Sequence, residues 1–445
     1  MIKITFMGAG STVFAKNVLG DCMCTESLKD SHFALYDIDA ERLEDSKLML
    51  ENLNRNINDG RAKITAHLGA ENRKEALRGA DFVVDAIQVG GYEPSTVIDF
   101  EIPKKYGLRQ SIADTLGIGG IFRALRTIPV LQDFADDIEE VAPDSWFLNY
   151  TNPMSILTGY MQHHTGVNTV GLCHSVQVCV PQLLGSLDMD NDMAGVKYQI
   201  AGINHMAWLL DVSRNGEDLY PEIKKRAFAK NDEAMKEGAE KHGDMVRFEM
   251  MRHFGYYNTE SSEHTAEYHP YFINSRHPEL IEKLNIPLDE YPRRCVKQIE
   301  EWKQQRDQLV EDKSLTHERT HEYAASIMNA VVTDNPFEIG GNVTNNGLIP
   351  NLPNDACVEV PCMVNRNGIQ GCYVGPLPEQ LAGLNRTHVN VHLLAIEAAI
   401  TQSREKVYQA AMLDPHTRAE LTLDQIRNLC DDLFDAHANI MPVYK

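Results

Sequence analysis

Met1-Ile2-Lys3-Ile4-Thr5-Phe6-Met7-Gly8-Ala9-Gly10-Ser11 opens the chain, an apolar run that stops at two glycines one residue apart. Phe14, Val18 and Leu19 then recur at helical spacing, so the segment predicts a strand, a glycine turn and a helix. A glycine at position 8 permits the tight turn, and one at position 10 lets backbone approach a pyrophosphate at the helix N-terminus. Phe33-Ala34-Leu35-Tyr36 supplies a second strand ending in Asp37, whose carboxylate is placed to accept hydrogen bonds from a ribose hydroxyl. An acid there, rather than an arginine, favours NAD over NADP. Gly8, Gly10, Ser11 and Asp37 are therefore the candidate cofactor contacts. Val13 stands where a third glycine is usual, and Asp37 comes later than the usual spacing. A glycine turn that closes a βα unit without a ligand is the alternative reading.

Residues 64–67, 82–87, 146–150 and 169–173 are further short apolar runs separated by helical patterns. With residues 2–7 and 33–36 they predict an α/β chain built on a Rossmann-type doubly wound parallel sheet, whose ligands bind at the carboxyl ends of its strands. The 445 residues, 43% hydrophobic and 24% charged, are expected to form two globular domains, residues 1–196 around the dinucleotide turn and residues 197–445 as a mixed α+β domain, or else one large two-lobed unit. A net charge of -22, from 64 acidic against 42 basic residues, repels phosphate backbones and anionic membranes, so neither nucleic acid nor a membrane is an expected partner. Nine cysteines, odd in number and scattered, fit reduced thiols better than a disulfide framework. The chain enters its first strand without a charged-then-apolar leader, and no apolar run reaches membrane-spanning length, so a cytoplasmic location is expected.

Chemistry-bearing residues gather where these strands are expected to end. Gln88-Val89-Gly90-Gly91-Tyr92 follows the fourth strand, and Asp114-Thr115-Leu116-Gly117-Ile118-Gly119-Gly120 is a glycine loop able to bring backbone close to a sugar or nicotinamide. Asn152, in Thr151-Asn152-Pro153-Met154, carries an amide suited to a diol, or else caps a helix before Pro153. Gly171-Leu172-Cys173-His174-Ser175-Val176 sets a soft metal ligand beside a proton-transfer group. One thiolate does not hold a divalent ion alone, and Gly202-Ile203-Asn204-His205-Met206 supplies an imidazole. Cys173 and His205 as a pair leave coordination positions open for substrate, as a catalytic metal requires. A buried core cysteine and a satisfied core histidine are the bland alternative.

Gly8-Ala9-Gly10-Ser11-Thr12, Asn149-Tyr150-Thr151-Asn152-Pro153, Cys173-His174-Ser175-Val176 and Gly202-Ile203-Asn204-His205, in that order, resemble the NAD- and divalent-metal-dependent glycosidases of glycoside hydrolase family four. The likeness spans the chain. Cys173-His174-Ser175-Val176, Thr259-Glu260-Ser261-Ser262-Glu263-His264 and Glu359-Val360-Pro361 resemble its bacterial α-galactosidase branch, and Tyr92-Glu93-Pro94-Ser95-Thr96 lacks the arginine of phospho-sugar members. The resemblance implies a second domain like the C-terminal domain of lactate and malate dehydrogenases, bearing substrate, metal and subunit contacts. It also implies a small α-galactoside such as melibiose as substrate, NAD and Mn²⁺ as cofactors, and assembly as a homodimer or homotetramer.

The implied chemistry is a redox route rather than the usual pair of carboxylates. Hydride leaves sugar C3 for NAD⁺, the C2 proton becomes acidic, the aglycone is eliminated from C1, water adds, and NADH returns the hydride. In this scheme Cys173 and His205 hold the metal, with Co²⁺ or Ni²⁺ as alternatives to Mn²⁺. His174 is the general acid, or else an imidazole that only orients the site. Tyr268 is the base, with Tyr256 and Tyr257 as rivals, and needs a nearby cation because a phenol titrates near pH ~10. Asp114 accepts that tyrosine's hydrogen bond, Asn152 binds sugar hydroxyls, and Arg294, or its neighbour Arg293, completes the substrate pocket. An α-glucoside or glucuronide differs from an α-galactoside by one hydroxyl orientation or an oxidation state, so those activities are the near alternatives.

The second half is read more coarsely. It contains a strand at residues 198–200, a solvated helix face at residues 300–306, a strand and hairpin turn at residues 340–347, a strand at residues 358–360 and a strongly apolar helix at residues 389–400. An ordinary NAD-dependent hydroxy-acid dehydrogenase would use the same first domain, but the Gly-Glu-His-Gly motif expected of it is absent. A nucleotide-sensing protein without turnover would not need Cys173, His174 and Asn152 all at strand ends.

Overall fold

A computed structural model describes residues 1–445. Six parallel strands, β1 (Lys3–Met7), β2 (His32–Asp37), β3 (Lys63–Leu68), β4 (Phe82–Asp85), β5 (Trp146–Asn149) and β6 (Asn168–Gly171), lie in the order 3-2-1-4-5-6. That is the doubly wound dinucleotide-binding arrangement expected from the sequence. β1 and β4 are buried along almost their whole length, which is why they read as unbroken apolar runs. β4, β5 and β6 stop two, one and two residues before the apolar runs do. The extra residues, Ala86 and Ile87, Tyr150, and Leu172 and Cys173, have left the ladder and line a cleft, where apolar character serves burial rather than strand pairing.

Gly8 carries the first turn with φ +84°, and a Cβ there would stand 2.6 Å from the Ala86 carbonyl oxygen. Gly10 serves a different contact. Its N–H donates to Asp37 Oδ2 at 2.6 Å, and a Cβ would stand 2.8 Å from that oxygen, so the second glycine also lets the Asp37 carboxylate close on the turn. The helix Thr12–Met23 follows at once.

The sheet continues into the second half of the chain. β7 (Val196–Ile203) and β8 (Met206–Arg214) form a hairpin, with β9 (Glu217–Asp218) and β10 (Tyr257–Asn258) on β8. β11 (Phe337–Thr344) and β12 (Cys357–Asn365) run antiparallel to each other, and β13 (Gly368–Gly371) folds back on β12. β11 joins β6 through the pair Asn342 and Gly171, and β12 joins β7 through Glu359 and Gly202, so all 13 strands belong to one sheet. The second half is thus α+β. β7 starts at Val196, at the expected domain division, yet the two halves share this sheet and their helices interlock. Val407, Tyr408, Leu429 and Leu433 pack in one cluster with Ile102, Leu108, Ile118 and Phe122.

The apolar pattern at residues 389–400 is the second half of the helix Glu379–Thr401. The charged face at residues 300–306 lies on the helix Glu290–Val310, but it is not only solvated. Arg306 makes two contacts, 2.7 and 2.6 Å, with the carboxylate of buried Asp45 on the helix Ala40–Ile57. No helix is long and apolar enough to cross a membrane.

Replacing Gly8 by alanine forces a Cβ into a left-handed backbone and against the Ala86 carbonyl. The expected loss is about 1–3 kcal/mol of unfolding free energy, measured by denaturant titration, against less than about 1 kcal/mol for Gly60→Ala, whose Cβ meets nothing within 4 Å.

Candidate active site

A cleft of about 540 Å³ opens at the carboxyl ends of β1, β4, β5 and β6, the place where a doubly wound sheet binds its ligands. Ser11, Ile87, Gln88, Asp114, Asn152, Cys173, His174 and His205 line it. Seven of the eleven residues expected at the site from sequence come together here: Asp114, Asn152, Cys173, His174 and His205 meet in the cleft, Ser11 is on its wall, and Tyr268 touches His205. Gly8, Gly10 and Asp37 sit along the same strand ends, on the β1 and β2 side.

Cys173 is the N-cap of the helix Cys173 introduces, His174–Ser186, and its thiol lies 3.2 Å from the Ser175 hydroxyl. Backbone N–H groups at a helix start favour an anionic ligand nearby. His205 reaches the same point from the other half of the chain. With Asn204 it forms the whole two-residue turn between β7 and β8, and its backbone is left-handed at φ +60°, unusual for a residue with a side chain. The turn is held from behind, where the Asn385 amide donates to the Met206 carbonyl at 2.7 Å and accepts from the Trp208 indole at 2.8 Å.

Glu260 completes a donor set that sequence reasoning missed. One ligand atom each from Cys173, His205 and Glu260 lie within 4.8 Å of one another, with Glu260 Oε2 3.4 Å from His205 Nε2. A thiol, an imidazole and a carboxylate suit a borderline divalent cation, and three protein ligands leave positions open for substrate. The residues fit a catalytic metal, just as the glycine turn fits a dinucleotide. Burial opposes charging His205, but Glu260, Cys173 and Asp114 outweigh it and raise the imidazole to about 10. Glu260 responds in the opposite sense: burial raises its carboxyl, and His205 and His264 bring it below the usual value.

Asp114 differs from the sequence expectation. It makes no hydrogen bond to Tyr268. Its carboxylate accepts from the Thr115 hydroxyl at 2.8 Å and the Asn152 amide at 3.4 Å, and lies 3.7 Å from His264 Nε2. Burial alone would raise it, but His264, Arg123 and His205 hold it well below the usual carboxylate range. Its position is set by a strained turn: Ala113 has φ +52°, and the Glu267 carboxylate accepts the N–H groups of Ser111, Ile112 and Ala113 at 2.8, 3.0 and 2.9 Å.

Tyr268 is fully buried and is not part of the cleft wall; its hydroxyl lies 3.1 Å from His205 Nδ1. Burial, with Asp114, Glu267 and Glu260 nearby, pushes that hydroxyl far above its ordinary value. Of its rivals, Tyr257 is buried on β10, and neither Tyr256 nor Tyr257 lines the cleft. Asn152 does not cap the following helix, whose N-cap is Pro153, and its buried amide oxygen has no protein partner. That leaves it free for a sugar hydroxyl.

Arg294 is a correction. It points outward, 44% exposed, paired with Glu290 at 2.9 Å and Glu263 at 3.0 Å, while Arg293 pairs with Glu290. The cleft's arginine is Arg123, on the helix Gly117–Val141, which donates to the Asn152 carbonyl at 3.1 Å and faces Tyr291. His174 also has an unforeseen partner: its Nε2 lies 2.6 Å from Glu322 Oε2.

Sequence comparison assigns this nucleotide-type sheet, with its candidate metal set and neighbouring imidazole at the strand ends, to a class of hydrolase. Residues 3–189 match the family 4 glycosyl hydrolase model and residues 200–417 its C-terminal domain, and the chain belongs to this family of glycoside hydrolases. Within it, the chain is 62% identical over 445 residues to an alpha-galactosidase of Bacillus subtilis (strain 168), covering 100% of both. It superimposes with TM-score 0.77, at 19% identity and 99% and 100% coverage, on a 6-phospho-beta glucosidase of Thermotoga maritima solved with manganese, NAD⁺ and glucose-6-phosphate. A malate dehydrogenase of Plasmodium falciparum shares the fold at TM-score 0.50, 13% identity and 92% and 100% coverage. The Rossmann-type α/β expectation, including its dehydrogenase-like second half, is therefore met.

His205 carries a testable signature. Because its folded value of about 10 exceeds the unfolded ~6.5, its proton stabilises the metal-free protein fully below pH ~6.5, and this is lost as pH rises through about 10. Mn²⁺ titrated into the protein at pH 7.5 is expected to expel protons from this site, one from His205 and one from the Cys173 thiol, read calorimetrically as a dependence of heat on buffer ionisation enthalpy. Cys173→Ala should abolish that heat and leave NAD⁺ binding within about twofold, since the thiol and the glycine turn lie at different strand ends.

Proposed function

We propose that the protein is an α-galactosidase that hydrolyses terminal α-galactosides such as melibiose with the help of NAD⁺ and a divalent metal, Mn²⁺ in the first instance. The observation that carries this reading is the meeting of Cys173, His205 and Glu260 beside His174 in one cleft at the end of a dinucleotide-type sheet. The 62% identity to an alpha-galactosidase supports the choice of sugar, and the T. maritima complex with manganese and NAD⁺ supports the cofactors. Assembly as a homodimer or homotetramer belongs to the same proposal.

Gly8, Gly10, Ser11 and Asp37 would hold NAD⁺, and Cys173, His205 and Glu260 the metal. When bound, NAD⁺ supplies a reversible hydride acceptor for sugar C3 and the metal a Lewis acid for the neighbouring oxygens, so that oxidation, elimination, water addition and reduction return both unchanged. His174 donates a proton to the departing glycosidic oxygen. Asn152 and Arg123 present an unsatisfied amide oxygen and a guanidinium to sugar hydroxyls. His205, turning Nε2 toward the ligand set, carries its proton on Nδ1 and donates it to the Tyr268 oxygen. That hydrogen bond favours the phenolate and offsets the surrounding carboxylates, which is what Tyr268 needs to withdraw the C2 proton. Asp114 hydrogen-bonds Asn152 and faces His264, and bears on Tyr268 only through its charge.

Turnover of melibiose is expected to require both NAD⁺ and Mn²⁺ without net accumulation of NADH, and turnover in deuterated water to place deuterium at C2 of the released galactose. Full activity after cofactor and metal are stripped would overturn the reading, and a panel of α-glucosides, glucuronides and phosphorylated glycosides tests the sugar. His174→Ala should lower turnover of melibiose by about 10²–10⁴-fold while sparing aryl galactosides with very good leaving groups. Equal losses on both would remove His174 from the acid role.

A further inference from the structure

The contact of His174 Nε2 with the Glu322 carboxylate has no part in the roles given above. Glu322 comes from a segment, residues 311–323, that follows the helix Glu290–Val310 and lies across the dinucleotide half of the molecule. The anchors are numerous. Asn52 donates to the Val310 carbonyl at 3.1 Å, and Asn56 to the carbonyls of Lys313 and Leu315 at 2.8 and 2.9 Å. Fully buried Asp21, on the helix that follows the glycine turn, accepts from His317 Nε2 at 2.7 Å and from the Thr320 N–H and hydroxyl at 2.9 and 2.6 Å. A Cβ on Gly20 would stand 2.8 Å from the His317 ring, so that glycine admits the segment. The Thr320 hydroxyl then accepts the Glu322 N–H at 3.1 Å, and the Tyr323 hydroxyl donates to the Cys173 carbonyl at 3.0 Å. Glu322 is therefore delivered to His174 by a fixed frame rather than by a mobile surface side chain; its side chain is 10% exposed, against 45% for His174.

We propose that Glu322 is a positioning residue for His174: by taking Nε2–H it fixes the ring's orientation and leaves Nδ1 as the nitrogen that carries the proton given to the departing oxygen. The ring has three aromatic neighbours, Phe14, Tyr150 and Tyr323, at centroid distances of 6.5, 5.9 and 6.3 Å, which limit its tilt without choosing which nitrogen faces the cleft. Only Glu322 makes that choice, since Nε2 is the ring nitrogen with a protein partner.

The proposal rests on His174 as the general acid, and the experiment separates the two. Glu322→Ala is expected to lower kcat for melibiose by about 10–100-fold with KM within about twofold, and to lower kcat for a dinitrophenyl galactoside by less than about threefold. In a His174→Ala background it should add no further loss. Glu322→Gln, whose amide oxygen still accepts Nε2–H, should recover most of the activity. Nitrogen-15 shifts of the neutral His174 ring, in the protein without cofactor or metal, should report a single Nε2–H tautomer in the wild type and in Glu322→Gln, and a mixture in Glu322→Ala. Equal losses on both substrates, additive losses with His174→Ala, or an unchanged tautomer overturn the role of Glu322. A His174→Ala variant without leaving-group dependence overturns the acid assignment instead.

Discussion

The buried carboxylate of Glu359 joins the parallel and antiparallel parts of the sheet, and the active cleft depends on that junction. Its Oε1 accepts the amides of Asn342, on β11, and Asn204, in the β7–β8 turn, at 3.0 and 3.2 Å, while Asn342 also donates to the Gly171 carbonyl at 3.3 Å. One acid thereby ties the end of β6, which leads into Cys173, to the turn that carries His205. Burial raises Glu359, and the two amides, followed by the charge of His205, oppose that rise. Gly171 is part of the same constraint, because a Cβ there would stand 2.5 Å from both Met154 Sδ and the Thr158 hydroxyl.

Around that junction the protein balances charge locally despite its net -22. Asp114 and Glu260 face His205, His264 and Arg123 inside the cleft, and the two carboxylates are held below their ordinary values by those neighbours. The histidine rings at 205 and 264 meet edge to face at 4.6 Å, so the cluster is packed as well as charged. A cation entering it would find anionic donors already desolvated, and it would have to displace the proton that His205 carries.

The sheet was legible because buried parallel strands are short apolar runs, and the glycine turn because its first residue must be left-handed. Cys173, His205 and Asn152 were legible for a related reason: a doubly wound sheet puts its chemistry just past strand ends, so an odd residue there stands out. The missing parts do not follow strands. Glu260 and Glu322 sit in loops and are two among 64 acidic residues, and no periodicity links them to Cys173. Arg123 hid inside a helix whose pattern reads as packing, whereas Arg294 looked available until the helix Glu290–Val310 turned it onto Glu290 and Glu263. The ends of β4, β5 and β6 were overrun because cleft-lining and strand residues are equally apolar.

The pairing of Gly171 with Asn342 and of Gly202 with Glu359 has a consequence for the chain as it leaves the ribosome. When β6 emerges, the strand that will cover its edge is still to be made, and at ~5–20 residues per second the wait lasts roughly ten seconds or more. Through that interval the nascent sheet carries an open edge, the kind of surface that recruits foreign strands. The buried acid at residue 359 comes later still, so the cleft can take shape only when most of the polypeptide has been synthesised. Assembly of the catalytic apparatus is thus tied to near-completion of translation, and a truncated chain would own a dinucleotide fold with no machinery attached.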